Sequence, residues 1–327
     1  MSPEIVVLFY FLNKHIVLQI VIAILLFSWS VVTIITQMTI LPPDGQGILY
    51  YSLFNHWSSN PMGMKFVVVV LLASELLFIN LFFKSNKFSD NKTLMPIVFF
   101  LLLVNAGKFL YCFSPVFLTI LILTVILFFT TQDNSEKPVK NRTFAAGILV
   151  GFSSLVDPHA VWIILFLIIS LLANRFSKFK EIMILICGFV FVYIYYFALA
   201  FLFDKIPLAI SAIQNLQFFG LIHDFPSMKV LDMVLSGFLL LSVFFEMASL
   251  KLYFDSKLIV LRKRFMTTMF LFFVMLIALL FSNYGFRYGL LYLIVPVALI
   301  FSMLSILKNK RWLKDVLMVA LLVLLWL

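Results

Sequence analysis

A sparse set of side chains in an otherwise apolar sequence could do chemistry: Asp44, His56, Lys108, Asp157, His159, Asp204, Lys205, His223, Asp224 and Arg287. Asp44 stands in Pro42-Pro43-Asp44-Gly45-Gln46-Gly47, just after an apolar run. Two roles fit it: a cap for a helix starting near Gln46, or a surface carboxylate acting as general base or metal ligand toward an acceptor. Asp157-Pro158-His159 is also open to two readings. Pro158 biases the residue before it toward extended backbone, so Asp157 can cap the helix that follows. A carboxylate and an imidazole two residues apart could instead share a proton or a metal ion with Asp44. His223-Asp224 is a similar pair. No HExxH or cysteine-pair spacing selects a metal, so the cofactor stays open, a divalent cation being one option.

Cations on the same side suggest an anionic ligand. Arg287, within Asn283-Tyr284-Gly285-Phe286-Arg287-Tyr288-Gly289, could anchor a helix at the interface beside its tyrosines. With Lys108 and Tyr288 it could equally hold a phosphate or pyrophosphate, for which a guanidinium fork is suited. Glu75 is different, because it falls mid-way along an apolar stretch. A carboxyl there turns inward, either for function or as a neutral, hydrogen-bonded acid. Glu246 is closer to a span end and is expected to snorkel toward Lys251.

These residues must be positioned by helices in a bilayer. The chain is 64% hydrophobic and 12% charged, against roughly 45–50% and 25% for a soluble domain. Apolar runs near 16–36, 65–83, 94–110, 114–131, 143–156, 159–174, 182–203, 230–250, 265–282, 286–306 and 314–327 predict an all-α, polytopic transmembrane bundle. The expected number is about eleven spans, nine to eleven given the short pair around Asp157. No soluble domain or linker interrupts the run, so residues 1–327 read as one integral membrane domain. Segments 37–64 and 204–229 have the composition of re-entrant or interfacial stretches. The first 15 residues contain Glu4, Lys14 and His15 without a small-residue cleavage site, so the first apolar run reads as a retained span.

Charge supplies the orientation. Lys14, the clusters 84–92, 137–142, 175–180, 251–264 and 308–314 hold nineteen of the 24 Lys and Arg residues, and the alternate segments hold Lys65, Lys108, Lys205, Lys229 and Arg287. The positive-inside rule then puts the amino end in the cytoplasm and the ten residues from Asp44 to Arg287 named at the outset at the outer face of an inner membrane, with Glu75 mid-span and Glu246 toward the inner side. The net charge of +10 is therefore a topology signal; no basic stripe or recognition module points to nucleic acid. Cys112 falls at the outer face and Cys187 nearer the inner face, which argues against a disulfide between them.

Three stretches together carry a resemblance: the acidic residue after the first span in PPDGQGILYY, the Gly-rich helix with a break in AAGILVGFSSLVDPHAVWIILF, and the Arg-Tyr opening a late span with Pro296 in FRYGLLYLIVPVALI. They resemble the GT-C class of membrane glycosyltransferases. The whole chain also resembles a family of uncharacterised integral membrane proteins from Bacteroidota. The first resemblance implies a transferase using polyprenyl-phosphate-linked sugar on the outer face, in cell-envelope glycan assembly. Asp44 would activate the acceptor, while Lys108 and Arg287 would stabilise the departing phosphate, with Tyr288, Asp157 and His159 lining the substrate. Many GT-C enzymes carry a second acidic residue beside the first, whereas Gly45 follows Asp44 here. Many also carry a soluble outer domain after the bundle, whereas this sequence reaches Leu327 still apolar. These departures suit a rival reading, a non-catalytic membrane subunit or scaffold with envelope protein partners. A transporter or lipid flippase is a third, resting on Glu75 and the broken helix pair at 143–174.

Overall fold

A computed structural model describes residues 15–40, 47, 49–50, 60–86, 88, 93–131, 139–173, 179–204, 206–207, 209–210, 230–255, 259–281 and 288–303. Among them are ten α-helices: α1 Ile16–Gln37, α2 Pro61–Ser85, α3 Met95–Ala106, α4 Val116–Thr131, α5 Val139–Val156, α6 Trp162–Ala173, α7 Phe179–Leu202, α8 Val230–Asp255, α9 Ile259–Leu280 and α10 Leu291–Met303. Four stretches, Ile16–Gln37, Pro61–Ser85, Phe179–Leu202 and Leu261–Leu280, are long and apolar enough to cross a membrane. The chain reads accordingly as a helical membrane protein. Two dipeptide strands, β1 Thr39–Ile40 and β2 Cys112–Phe113, pair in parallel with Thr39 opposite Cys112, a feature that an all-helical expectation leaves out.

The centre of the bundle is α3 and α10, which pack on each other and are enclosed by α1, α2, α4, α8 and α9. Every residue of α10 is buried, Pro296 included, and ten of the twelve in α3 are. Helices apolar all round belong in such a position. The outer helices instead present large apolar side chains outward, such as Leu25 and Trp29 on α1, Phe66 and Leu77 on α2, and Ile194 and Phe201 on α7. That arrangement suits a hydrocarbon surrounding.

Polar contacts fix the relative directions. Gln19, near the start of α1, accepts from the Leu94 amide (2.7 Å) at the start of α3. Lys65, near the start of α2, donates to the Ile35 carbonyl (2.6 Å) near the end of α1. Arg264, early in α9, donates to the Asn86 carbonyl (2.9 Å) at the end of α2. Helices α1, α3 and α9 thus begin at the end of the bundle where α2 finishes, so α2 runs opposite to them. One end of the bundle, called the basic end here, collects Lys84, Lys140, Arg142, Lys180, Lys251, Arg262, Lys263 and Arg264. The other, the strand end, holds β1, β2 and the turn between α5 and α6.

Helices α5 and α7 run parallel and make the closest pair, because glycines face each other. A Cβ on Gly147 would lie 2.3 Å from the Leu185 carbonyl oxygen, and one on Gly188 would lie 2.4 Å from that of Phe144. Small residues that let backbones touch are the usual means of helix association in lipid. Only Leu185, Gly188 and Ala200 of α7 are buried, so α5 is its chief attachment.

The ten described helices follow the expected apolar runs, with bounds that differ by up to six residues (259–280 against 265–282). The expected span 94–110 stops at Ala106, because Gly107 and the left-handed Lys108 (φ 52°) turn the chain into a 3-10 turn at Phe109–Tyr111 and then β2. Glu246 does not snorkel. It is buried with Val243, Met247 and Leu250, the stripe by which α8 packs on α9 and α10. The expected span 314–327 and most of segments 37–64 and 204–229 lie outside the described residues. Cys112 is buried, Cys187 exposed, and both are free.

Candidate functional site at the strand end

Helix α5 ends at Val156 because Pro158 cannot continue its hydrogen bonding. Asp157 takes an extended conformation (φ −135°, ψ 107°) and caps the 3-10 turn Pro158–Val161, its Oδ1 accepting the His159 amide at 3.1 Å. The expected capping role is therefore real, and it accounts for one carboxylate oxygen. The other accepts two hydroxyls from distant helices: Thr119 of α4 donates to Oδ2 at 2.8 Å and Tyr292 of α10 at 2.5 Å. Ser153, one turn back on α5, donates to the Thr119 hydroxyl at 3.3 Å. His159 Nδ1 lies 3.4 Å from Asp157 Oδ1. Asp157, His159, Thr119 and Tyr292 are all essentially without solvent exposure.

Asp157 thus joins α4 and α10 to the turn between α5 and α6 through one carboxyl group. Both carboxylate oxygens are therefore engaged as acceptors within the cluster. Its chemical competence is orientation: it fixes the Tyr292 hydroxyl, the Thr119 hydroxyl and the His159 ring. Tyr292, Thr119 and Ser153 were not singled out from the sequence. The signal available for them was a lone hydroxyl near the end of an apolar run, which Thr124 and Ser170 share.

Gly47, three residues after Asp44 in the sequence, is anchored next to this cluster. Asp44 itself lies outside the described residues, but the Gly47 amide donates to the Val156 carbonyl at 3.2 Å. A Cβ at position 47 would sit 2.3 Å from that oxygen and 2.4 Å from the Leu155 carbonyl, so only glycine allows the approach. Tyr50, buried three residues on, donates to the Phe113 carbonyl at 3.4 Å and stacks on that ring at 6.3 Å. Burial, with the Cys112 thiol adding a smaller effect, pushes the Tyr50 phenol well above its usual range. It stays a neutral donor holding its segment to β2.

Of the other expected site residues, Lys108 is half-buried at the turn after α3, and Tyr288 is half-buried and packed on the core just before α10. Both are at the strand end. His56, Lys205, His223, Asp224 and Arg287 lie outside the described residues, and Asp204 is exposed after α7 with φ 52°. Among the described residues no three His, Cys, Asp or Glu side chains are grouped to hold a metal ion. Glu75 belongs to a separate place. It is buried in α2, where Thr124 of α4 meets its Oε1 at 2.6 Å. Thr124 lies five residues past Thr119, roughly 7.5 Å deeper along α4.

Comparison with known families adds one finding. The pattern of DUF6427, a family of unknown function, matches residues 45–327. The chain belongs to the DUF6427 family. The match includes Lys108, Thr119, Asp157, His159, Arg287, Tyr288 and Tyr292 and starts one residue after Asp44. No curated protein and no solved structure matches the chain.

Proposed function

We propose that this DUF6427 member is a multi-pass protein of the bacterial inner membrane, with its basic end in the cytoplasm. Its strand end then faces outward and performs GT-C-like transfer of a sugar from a polyprenyl-phosphate carrier in cell-envelope glycan assembly. The observation that carries this reading is the clustering at the strand end. A helix break presents Asp157 and His159, Tyr292 of α10 bonds to Asp157, and Gly47, three residues after Asp44, rests against that break. Chain connectivity alone keeps the Asp44 Cα within roughly 11 Å of the Gly47 Cα.

In this reading Asp44 takes the acceptor hydroxyl's proton as general base. Lys108 and Arg287 offset charge on the departing phosphate, and Arg287 directly precedes Tyr288 and the start of α10. Asp157 is a positioning residue: through Tyr292 it fixes the helix that follows Arg287, and through Val156 the break on which Gly47 rests. A divalent cation bound here would recruit Asp44 as one ligand.

The test is complementation of a strain lacking the chain, read out by mass spectrometry of lipid-linked sugars and envelope glycans. Asp44→Asn, expressed and inserted normally, should leave the carrier-linked sugar accumulated as in the deletion strain. Full complementation by that variant would end the transferase reading. A second reading, a non-catalytic subunit or scaffold, is favoured by the enclosure of Asp157 and His159 and by the outward apolar face of α7. It predicts that Asp44→Asn complements fully.

A further inference from the structure

Glu75 stands apart from the strand-end cluster, and its hydrogen-bond geometry bears on its protonation state. Its side chain is 3% exposed, in a helix long and apolar enough to cross the membrane. Thr124 Oγ1 lies 2.6 Å from Glu75 Oε1 and also 2.9 Å from the Ile120 carbonyl oxygen. A threonine hydroxyl has a single hydrogen, and a carbonyl oxygen can only accept. When Thr124 donates to Ile120, the short contact to Glu75 requires the hydrogen to come from the carboxyl group. Glu75 Oε2 has no hydrogen-bond partner among the described residues, and no cation there lies within ion-pair distance of it. An ionised carboxylate would sit in the bundle without a counter-charge among the described residues. A neutral acid needs no counter-charge.

We propose that Glu75 is a proton-binding site inside the bundle. Its carboxylic acid donates Oε1–H to Thr124, and Thr124 passes its own hydrogen to the Ile120 carbonyl. Proton, carboxyl and hydroxyl form one directed chain that latches α2 to α4. The bound species is a proton, and Oε2 is the acid's carbonyl oxygen. The site does not depend on sugar transfer at the strand end and stands if that reading fails.

Infrared spectroscopy of the purified full chain at neutral pH tests it. The wild type should show a carbonyl-stretch band of a protonated carboxylic acid that moves on labelling with ¹³C-glutamate, assigning it to a glutamate rather than an aspartate. Thr124→Val should shift that band to higher frequency, because the acid loses its acceptor, and Glu75→Gln should abolish it. If Glu75→Gln does not fold, the labelled wild type and Thr124→Val alone decide. A glutamate acid band that Thr124→Val leaves unmoved, or no such band at all, would overturn the proposal.

Discussion

At the scale of single residues, Asp157 and Glu75 show how one side-chain type does opposite work in one bundle. Asp157 gathers three donors and ties α4 and α10 to the turn after α5; Glu75 meets one hydroxyl that already serves a backbone carbonyl. Removing Asp157 strands the Thr119 and Tyr292 hydroxyls, so Asp157→Ala should lower unfolding stability by about 1–3 kcal/mol. Tyr292→Phe removes one donor and should cost less, about 0.5–1.5 kcal/mol. Chemical denaturation in detergent, with both variants run beside the wild type, gives the order. Equal losses would mean that the carboxylate does not organise the cluster. The sequence made Asp157 legible as a cap, because Pro158 declares it locally. It could not disclose Thr119 and Tyr292, 38 and 135 residues away, because that contact depends on how α4 and α10 are packed. Glu246 misled for the same reason: its position along the helix was readable, but the face it occupies was set by α9 and α10.

Among the elements, the two glycine contacts make the sharpest demands. Gly147 and Gly188 let α5 and α7 touch, and a side chain at either meets a carbonyl oxygen under 2.5 Å away. Gly147→Leu should therefore part the pair and lower the thermal unfolding midpoint in detergent, by an equivalent of about 1–3 kcal/mol. An unchanged midpoint would show that α7 is held otherwise. Gly47 is a more selective probe, since it rests against the break after α5, three residues after Asp44, rather than between core helices. Gly47→Ala should impair complementation while moving the unfolding midpoint little; loss of both together would make Gly47 a stability residue instead. Helix positions were legible in the sequence to within six residues because apolar run length is a strong local signal. The end of α3 was not, since Gly107 and Lys108 break an apolar stretch that hydropathy alone carries through to residue 110.

For the whole molecule, charge and packing give the same account of direction. Basic residues gather at one end, and Asp157, Tyr50, Gly47 and the two short strands at the other. Single cysteines placed at Lys140 and at Asp204 in a background lacking Cys112 and Cys187 should label from opposite faces of intact spheroplasts, Asp204 from outside. Labelling of both from one face would contradict the helix directions and the orientation drawn from the positive-inside rule. The central claim concerns what the outward end does, and it has one direct measurement. Lipid-linked sugars should accumulate in a strain whose copy of the chain carries Asp44→Asn, to the level of a strain lacking the chain. Wild-type amounts in that strain would contradict the account.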